Sequence, residues 1–334
     1  MLVAVIDSGV QLEKCLYLKT LQFDLEIISG KIQKRKNYGT IHGTLVSDLI
    51  KANCPDAEIG SIKIIGTNNN CPNEYVLTAL KWCVDNNIKW IHMSIGTTNW
   101  KFVERFEAII RNSKDVVFVA ARDNEGNVTF PADIPGVCAI ERLWSTTKHK
   151  NFFERKELGG YRLLTNYREP ELLSKYYDST TFYSNSYQAA ITSGKLLYKY
   201  LNGKNLLDDE FVPVNLMEEN KNNKLEIPVI AISGALNSAK ELIRYFVTKD
   251  YCAVMLYCGK KEETHFLFRT VDKITLKEIK NYIRQVLCDI LFVYIGNEFN
   301  DNYQFNFDYS IDINSESDID AIYRNIIRHF SCEN

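Results

Sequence analysis

The chain has 334 residues, of which 46% are hydrophobic and 25% are charged, and its formal net charge is −2. This composition is typical of a globular protein with material for more than one core. The near-neutral charge excludes binding to nucleic acid or membranes through a strong field, and no apolar run approaches the roughly 18 residues of a membrane-spanning helix. Nine cysteines without a Cys-x-x-Cys pair, after an N-terminus without an export signal, predict reduced thiols in a cytoplasmic protein.

The chain opens on an apolar strand that ends at an acid. Residues 2–6 are continuously apolar, and Asp7-Ser8-Gly9 follows them. Such a run is typical of a strand buried on both faces of a parallel sheet. Because α/β sheets place ligands and catalysis beyond the carboxyl ends of their strands, Asp7 is a candidate site residue.

A second candidate is His42, which stands at the start of an apolar helix pattern over residues 45–50. Gly39 and Gly43 lie on either side of it, and glycine in such a place favours the close approach of another backbone. A single histidine is more often structural than catalytic. His42 therefore indicates a catalytic role only together with other candidate site residues.

Strand and helix patterns alternate along the next segments. The strand patterns cover 57–65, 90–96 and 116–121, and the helix patterns cover 73–86 and 102–112. This alternation predicts an α/β fold with a parallel sheet and right-handed crossovers. A polar and aromatic connection over 145–182, with short antiparallel strands as an option, leads to the next helix.

A third candidate lies at 184–186, where Ser-Asn-Ser runs into a helix pattern rich in small residues. Small residues on one face let a helix lie deep in a core. The hydroxyl of Ser186 would then stand at the helix N-terminus, where free N–H groups and the dipole favour developing negative charge. A serine in this place is most often only an N-cap.

The composition changes at 203–226, which is rich in charged residues and asparagine and predicts a solvated linker. A second, smaller α/β domain is predicted over 227–334, with a docking or dimerising role. Residues 230–240 resemble a phosphate-binding loop only faintly, because no second glycine precedes Lys240 and no Ser or Thr follows it. An NTP-dependent regulator is therefore an alternative that this pattern does not favour.

Asp7, His42 and Ser186 follow one another in the chain order of the subtilisin triad, which differs from the orders in chymotrypsin and the α/β-hydrolases. Residues 94–96 are similar to the family's Ser-Leu-Gly strand, and 120–126 to its Ala-Ala-Gly-Asn segment. With five motifs in the right order, the sequence resembles the subtilisin-like serine peptidases over residues 1–202.

The resemblance implies a subtilisin-like three-layer domain over 1–202 and a serine endopeptidase that works through an acyl-enzyme. His42 would act as the general base, Asp7 would orient it, and Ser186 would attack the substrate. Asn124 would donate its side-chain amide to the oxyanion. An extended peptide would be bound by Ser94, Ile95, Gly96, Ala121, Arg122 and Asp123.

The sequence also departs from the family pattern. Arg122 and Asp123 replace an Ala-Gly pair that walls the pocket for the residue before the scissile bond. Asp123 could select a basic residue there, or Arg122 could pair with Asp123 and shrink the pocket. Ser184, Asn185 and Ala190 replace the Gly, Thr and Pro of the nucleophile motif. These changes motivate an alternative, a catalytically degenerate subtilisin fold that binds peptides without cutting them.

Secreted members of the family typically carry an export signal and a propeptide, and neither precedes the Asp7 strand. This resembles members with dedicated substrates, such as the peptidases that remove leader sequences from ribosomally made, modified peptides. The expected partner is a peptide or precursor peptide, with a homodimer through the second domain as an option, and neither nucleic acid nor membrane. No cofactor and no metal ligand are predicted, and no residue pattern in the sequence locates the calcium site that is common in the family.

Overall fold

The computed structural model describes most of the chain as two compact units. The described residues are 1–66, 71–124, 127–143, 151–155, 159–177, 182, 184–207, 211–213, 227–249, 251–260, 265–276, 278–279, 282, 288–296 and 307–331. The first unit comprises 1–98 and 105–216, and the second comprises 99–104 and 217–334. Most of the predicted linker, at 208–210 and 214–226, lies outside the described residues.

The first unit is built on a large sheet. Its strands are β1 (Leu2–Asp7), β2 (Asp24–Ile28), β3 (Lys31–Lys34), β4 (Glu58–Lys63), β5 (Trp90–Met93), β6 (Val117–Ala121), β7 (Val137–Arg142), β8 (Asn151–Arg155), β9 (Tyr161–Thr165) and β10 (Phe211–Pro213). In space they follow the order β10-β8-β9-β7-β6-β5-β1-β4-β2-β3. The neighbours from β7 to β2 pair in parallel, as the alternating pattern predicts. The connection after β7 contains the antiparallel pair β8–β9.

Strand β1 lies at the centre of this sheet, between β4 and β5. Val3 and Val5 point to one face and Ala4 and Ile6 to the other, and each of the four is at most 1% exposed. Burial on both faces explains why the run is apolar without alternation. Asp7 therefore stands at the carboxyl end of an interior strand that is buried on both faces.

The helices that follow are α1 (Ile41–Asn53), α2 (Asn73–Asp85), α3 (Val103–Arg111), α4 (Glu171–Ser174) and α5 (Asn185–Leu201). α1 and α5 pack against each other. Trp90 on β5 anchors α5 to the sheet by donating its indole N–H to Ser193 Oγ at 2.9 Å. Ala189, Ala190 and Ser193 are fully buried, so the small residues of α5 do let it lie deep in the core.

The second unit is a smaller parallel α/β layer. Its strands are β11 (Val229–Gly234), β12 (Ala253–Cys258), β13 (Phe268–Val271), β14 (Ile290–Tyr294) and β15 (Tyr309–Ile313), and its helices are α6 (Leu236–Thr248) and α7 (Ile319–Ser331). The strands follow the order β13-β12-β14-β11-β15. The predicted fold class, α/β with a large parallel sheet and a second smaller α/β unit, is confirmed. The described helices include none that is both long enough and apolar enough to cross a bilayer.

Residues 99–104 belong to the second unit although the chain on either side of them belongs to the first. Trp100 is 5% exposed, and its ring centre lies 5.6 Å from that of Phe266. Glu104 accepts hydrogen bonds from the guanidinium of Arg244, the shortest of 2.8 Å. The sequence patterns gave no sign of this segment, because its partners lie more than a hundred residues away along the chain.

Candidate active site

The carboxyl end of β1 brings Asp7 to His42, the second residue of α1. His42 Nδ1 and Asp7 Oδ1 are 2.9 Å apart. The Asp7 side chain is 1% exposed, whereas that of His42 is 35% exposed. A buried carboxylate that bonds one ring nitrogen fixes the tautomer and orientation of an imidazole. The Nε2 atom of His42 is thereby left for a reacting group.

Two opposing effects act on the pKa of His42. Burial lowers it, because a desolvated imidazolium is less stable. The negative charge of Asp7 and its hydrogen bond raise it, and together they outweigh burial, so that the pKa of His42 lies above its usual value. His42 is therefore a stronger base than a free imidazole.

Ser8 holds the Asp7 carboxylate in place. Its backbone N–H and its hydroxyl donate to Asp7 Oδ1 at 2.6 and 2.8 Å. The same hydroxyl oxygen bonds the Thr40 hydroxyl and accepts the Gly43 N–H at 3.1 Å. The first turn of α1 is thus tied directly to the end of β1.

The glycine after His42 is needed for this contact. A Cβ added at Gly43 would lie 2.5 Å from Gly9 O, which no side chain tolerates. The close backbone approach expected from the glycines around His42 is therefore present. It allows the histidine to reach Asp7 from the helix start.

Ser186 is the second residue of α5, and its neighbours place it near His42. The Tyr187 ring centre lies 5.3 Å from that of His42. Ser184, and not Ser186, caps the helix: its hydroxyl accepts the Tyr187 N–H at 3.4 Å. Among the described residues, no hydrogen bond joins the Ser186 hydroxyl to His42. Catalytic hydrogen bonds are often long without substrate and shorten when it binds.

Asn124 follows β6 and faces the start of α5. Its side-chain Oδ1 accepts the backbone N–H of Asn185 at 2.9 Å. Because the oxygen of the amide is occupied in this way, its NH₂ end is turned to the other side. Asn124 and Ser186 line the same cleft.

Asn185 ties the segment after β6 to helix α5. It is 3% exposed, and its Nδ2 donates to the carbonyls of Arg122 and Asp123 at 3.2 and 2.7 Å. Its Oδ1 accepts the Arg142 N–H at 2.7 Å. The sequence treats Asn185 as a departure from the family's Thr, whereas the structure makes it a support of the site.

The cleft has a volume of about 180 Å³. It brings together all the predicted substrate-binding residues with Ser186 and three threonines, and its lining residues are Ser94, Ile95, Gly96, Thr97, Thr98, Ala121, Arg122, Asp123, Asn124, Thr129 and Ser186. Residues 94–98 form one wall, and the end of β6 forms the other.

Of the two alternatives for this pair of residues, the one in which Arg122 pairs with Asp123 is not what the structure shows. Arg122 is 8% exposed and donates to Asp133 at 3.0 Å and to Glu141 at 2.6 Å. Asp123 instead accepts hydrogen bonds from Asn127, at 3.2 Å from its backbone N–H and 2.9 Å from its side chain. The guanidinium of Arg122 is therefore paired with Asp133 and Glu141, while both Arg122 and Asp123 contribute to the lining of the cleft.

Thr129 narrows the cleft opposite Gly96, a feature that the sequence motifs do not reveal. An added Cβ at Gly96 would lie 2.0 Å from Thr129 Cγ2, so the methyl group occupies the space opposite the wall glycine. Thr129 is 4% exposed, and its N–H donates to Asp133 at 2.9 Å. The Asp133–Arg122 pair thus fixes the position of the threonine.

Within the described chain, no group of three or more His, Cys, Asp or Glu side chains is arranged to hold a metal ion.

Comparison with known proteins gives one family. A model described as the subtilase family matches residues 1–194. A "Thermostable alkaline protease" of Halalkalibacterium halodurans is 27% identical over 161 residues, which are 45% of this chain and 43% of that protein. The "Minor extracellular protease Epr" of Bacillus subtilis is 28% identical over 165 residues, 45% of this chain and 24% of that protein. The chain thus spans less than half the length of these curated relatives.

Solved structures also resemble the chain. A lanthipeptide protease shares 14% identity at a TM-score of 0.43, covering 60% of this chain and 74% of that one. The prenylagaramide maturation protease PagA shares 18% identity at a TM-score of 0.41, covering 61% and 77%.

Proposed function

The chain belongs to the subtilase family, and from this premise we propose that it is a serine endopeptidase that cleaves peptide bonds through an acyl-enzyme. The observation that carries the proposal is the hydrogen bond of 2.9 Å between His42 and Asp7, beside a cleft that Ser186 and Asn124 both line. A serine hydroxyl is a weak nucleophile at neutral pH and needs a base within reach. The raised pKa of His42 makes it such a base.

In the proposed reaction, Ser186 Oγ attacks the scissile carbonyl carbon while His42 Nε2 takes the hydroxyl proton. Asp7 holds the ring and stabilises the imidazolium that forms. When the tetrahedral intermediate collapses, the bond to the leaving nitrogen breaks and His42 gives its proton to that amine. Water then repeats the sequence on the acyl-enzyme and frees Ser186.

The negative charge of the intermediate develops on the former carbonyl oxygen. Two donors are suited to it, the side-chain amide of Asn124 and the backbone N–H of Ser186 at the N-terminus of α5. Asn185 holds both donors in position. Its backbone N–H and its side chain make four hydrogen bonds, which connect the start of α5 to the segment after β6 and to the end of β7. Removal of one such donor costs on the order of 3 kcal/mol of barrier.

The substrate is proposed to be a dedicated precursor peptide rather than any unfolded protein. The cleft supports this because Thr129 fills the space opposite Gly96 and Asp123 puts a carboxylate in its lining. Such a pocket takes few kinds of side chain before the scissile bond. We also place the enzyme in a reducing compartment such as the cytoplasm, in keeping with buried thiols at Cys54 and Cys83.

A fluorophosphonate probe tests the enzymatic function, because it reacts only with an activated serine. The wild-type protein should be labelled, and the Ser186→Ala variant should not. Ser184→Ala, which removes a neighbouring hydroxyl outside the proposed reaction, is the matched control and should still be labelled. A wild-type protein that resists the probe, although it binds peptides, would establish the alternative, a subtilisin fold that binds without cutting. This alternative is motivated by the lack of a hydrogen bond between Ser186 and His42 in the described part of the chain.

The substrate class is tested separately by product masses. Wild-type protein and Ser186→Ala are incubated with candidate precursor peptides and with casein. One site-specific cut in a precursor, absent with Ser186→Ala, supports a processing peptidase. Broad digestion of casein without preference for any precursor contradicts it.

A further inference from the structure

Two buried polar atoms near the proposed triad find no hydrogen-bond partner among the residues that the structure describes. They are Asp7 Oδ2, the carboxylate oxygen that His42 does not use, and His92 Nδ1. His92 is fully buried on β5. Buried polar atoms in native proteins nearly always bond a protein group or an ordered water. Two unpartnered atoms near one site therefore point to a shared partner.

The strand register puts the two side chains on one face of the sheet. Val5 on β1 pairs with His92 on β5 in parallel. Asp7 is two residues beyond Val5 and so points to the same face, one pleat further on. Two residues along a strand span about 6.6 Å and neighbouring strands lie about 4.8 Å apart, so the Cα atoms of Asp7 and His92 are about 8 Å apart. Both side chains extend into that space and leave a gap that one water molecule, hydrogen-bonded to each, can fill.

Electrostatics selects the proton position on His92. Burial lowers the pKa of His92 to about 4, so the ring is neutral and carries one N–H. Its Nε2 lies 2.8 Å from the Ser94 hydroxyl, which can donate to it as readily as accept from it. The charge of Asp7 is near enough to act on the ring, and a nearby anion favours the N–H that is directed toward it.

We propose that His92 is a positioning residue for the triad: its Nδ1–H and Asp7 Oδ2 are joined through one buried water molecule, which keeps the Asp7 carboxylate turned toward His42. The Ser94 hydroxyl donates to Nε2 and so holds the ring in this tautomer. The substrate-binding wall that begins at Ser94 is thereby connected to the acid of the triad. This inference rests on the proposed peptidase function for its kinetic consequences only.

Two substitutions separate the ring nitrogens. The amide of Asn occupies roughly the place of Nδ1 in a histidine, and that of Gln roughly the place of Nε2. His92→Asn should therefore keep kcat/KM near the wild-type value. His92→Gln and His92→Phe should each lower it roughly tenfold, because a buried acceptor on Asp7 is left unsatisfied.

The pH profile distinguishes positioning from general loss of structure. Without a donor on Oδ2, more of the Asp7 charge faces His42 and stabilises its imidazolium. The acidic limb of kcat/KM should therefore move upward by ~0.5 pH unit in His92→Gln and His92→Phe, and stay in place in His92→Asn. Equal profiles for Asn and Gln, or a wild-type profile for Phe, would overturn the proposal.

A measurement on the unmodified chain needs neither folding of a variant nor catalysis. The ¹⁵N chemical shifts of the His92 ring, in full-length protein labelled at histidine, report which nitrogen carries the proton. A protonated Nδ1 is expected, and a protonated Nε2 would refute the proposal. If the wild-type protein neither cleaves peptides nor reacts with fluorophosphonate, the peptidase function fails while this tautomer still decides the role of His92.

Discussion

At the scale of single residues, the Asp7–His42 pair sets the pH range of the enzyme. As a base, His42 must be neutral, and its pKa is raised because the Asp7 charge and hydrogen bond outweigh burial. Activity should therefore fall as the pH drops through this raised value. Stability has the opposite sign: the charged pair stabilises the fold below the unfolded-state pKa, and this contribution fades as the pH rises through the folded-state value.

Asp7→Asn tests this coupling. The variant should lose roughly 10⁴-fold in kcat at neutral pH, because the histidine loses both its orientation and the partner of its imidazolium. The stability difference between wild type and Asp7→Asn should shrink as the pH rises through the raised pKa. Thermal unfolding over a pH series measures it. A difference that grows with pH over that range would contradict the assigned sign.

The pocket makes a second prediction at this scale. Thr129→Gly should raise kcat/KM roughly tenfold for peptides with a large apolar residue before the scissile bond, because the methyl opposite Gly96 is removed. Thr129→Val is the matched control, since it keeps the methyl and loses only the hydroxyl, and it should gain nothing. Peptides that differ only at that residue provide the measurement. Equal gains in both variants would show that the methyl does not limit the pocket.

Much of the site was predictable at this scale, and the reason is chemical. Asp7, His42 and Ser186 stand out because each is reactive, lies at the end of a strand or the start of a helix, and occurs in a known order. Ser8 and Asn185 do not stand out, because their roles depend on which carbonyls and amides lie around them. Folding alone places the Asn185 amide between the Arg122 and Asp123 carbonyls.

At the scale of elements, helix α1 is held by an unusual buried acid. Asp48 is 1% exposed, and its carboxylate accepts the backbone N–H groups of Leu16, Tyr17 and Leu18 at 2.7, 2.8 and 2.7 Å. These three N–H groups belong to no strand or helix, and the carboxylate of Asp48 is the acceptor that satisfies them. The loop after β1 and the helix that carries His42 are fastened together by one side chain.

Asp48→Ala should lower the free energy of unfolding by roughly 3 kcal/mol or more, because several N–H groups lose their acceptor at once. Asp85→Ala is the control on helix α2: its carboxylate is 56% exposed and pairs with Lys81 at 3.0 Å, so the change should be below about 0.5 kcal/mol. Urea unfolding of both variants provides the comparison. Equal losses would show that the carboxylate of Asp48 is not what fastens the loop.

The elements themselves were largely readable from the sequence. Strand β1 and helix α1 are predicted by their apolar runs, and the alternation of strand and helix patterns predicts the parallel sheet. Asp48 shows the limit, since an acid inside an apolar helix pattern looks like a solvated position. Only the loop folded over it makes it a buried acceptor.

At the scale of the whole molecule, residues 99–104 belong to the second unit although the chain before and after them belongs to the first. Trp100→Ala should destabilise the second unit by about 3–5 kcal/mol, because a 5% exposed indole against Phe266 is lost. Glu104→Ala, in the same segment, should cost less than about 1 kcal/mol, since its pair with Arg244 is exposed. Denaturant unfolding followed by a probe in the second unit measures both. Similar costs would mean that the segment is held by its charge and not by its ring.

This whole-molecule feature was beyond the reach of sequence patterns. Trp100 and Phe266 are far apart in the chain, and neither stands in a motif. The predicted boundary between the halves relied on composition, which marks polar stretches well. Composition gives no signal for a short segment that packs in one unit while the chain on both sides of it belongs to the other.

The path of the chain through residues 99–104 has a consequence for how the protein comes apart. A single cut after residue 216 severs the polypeptide between the bulk of the two units, yet the amino-terminal fragment still contributes its own piece to the core of the other. The two fragments should therefore stay associated through Trp100 until that core melts. An intact chain after residue 216 is then not expected to be necessary for the protein to remain one particle.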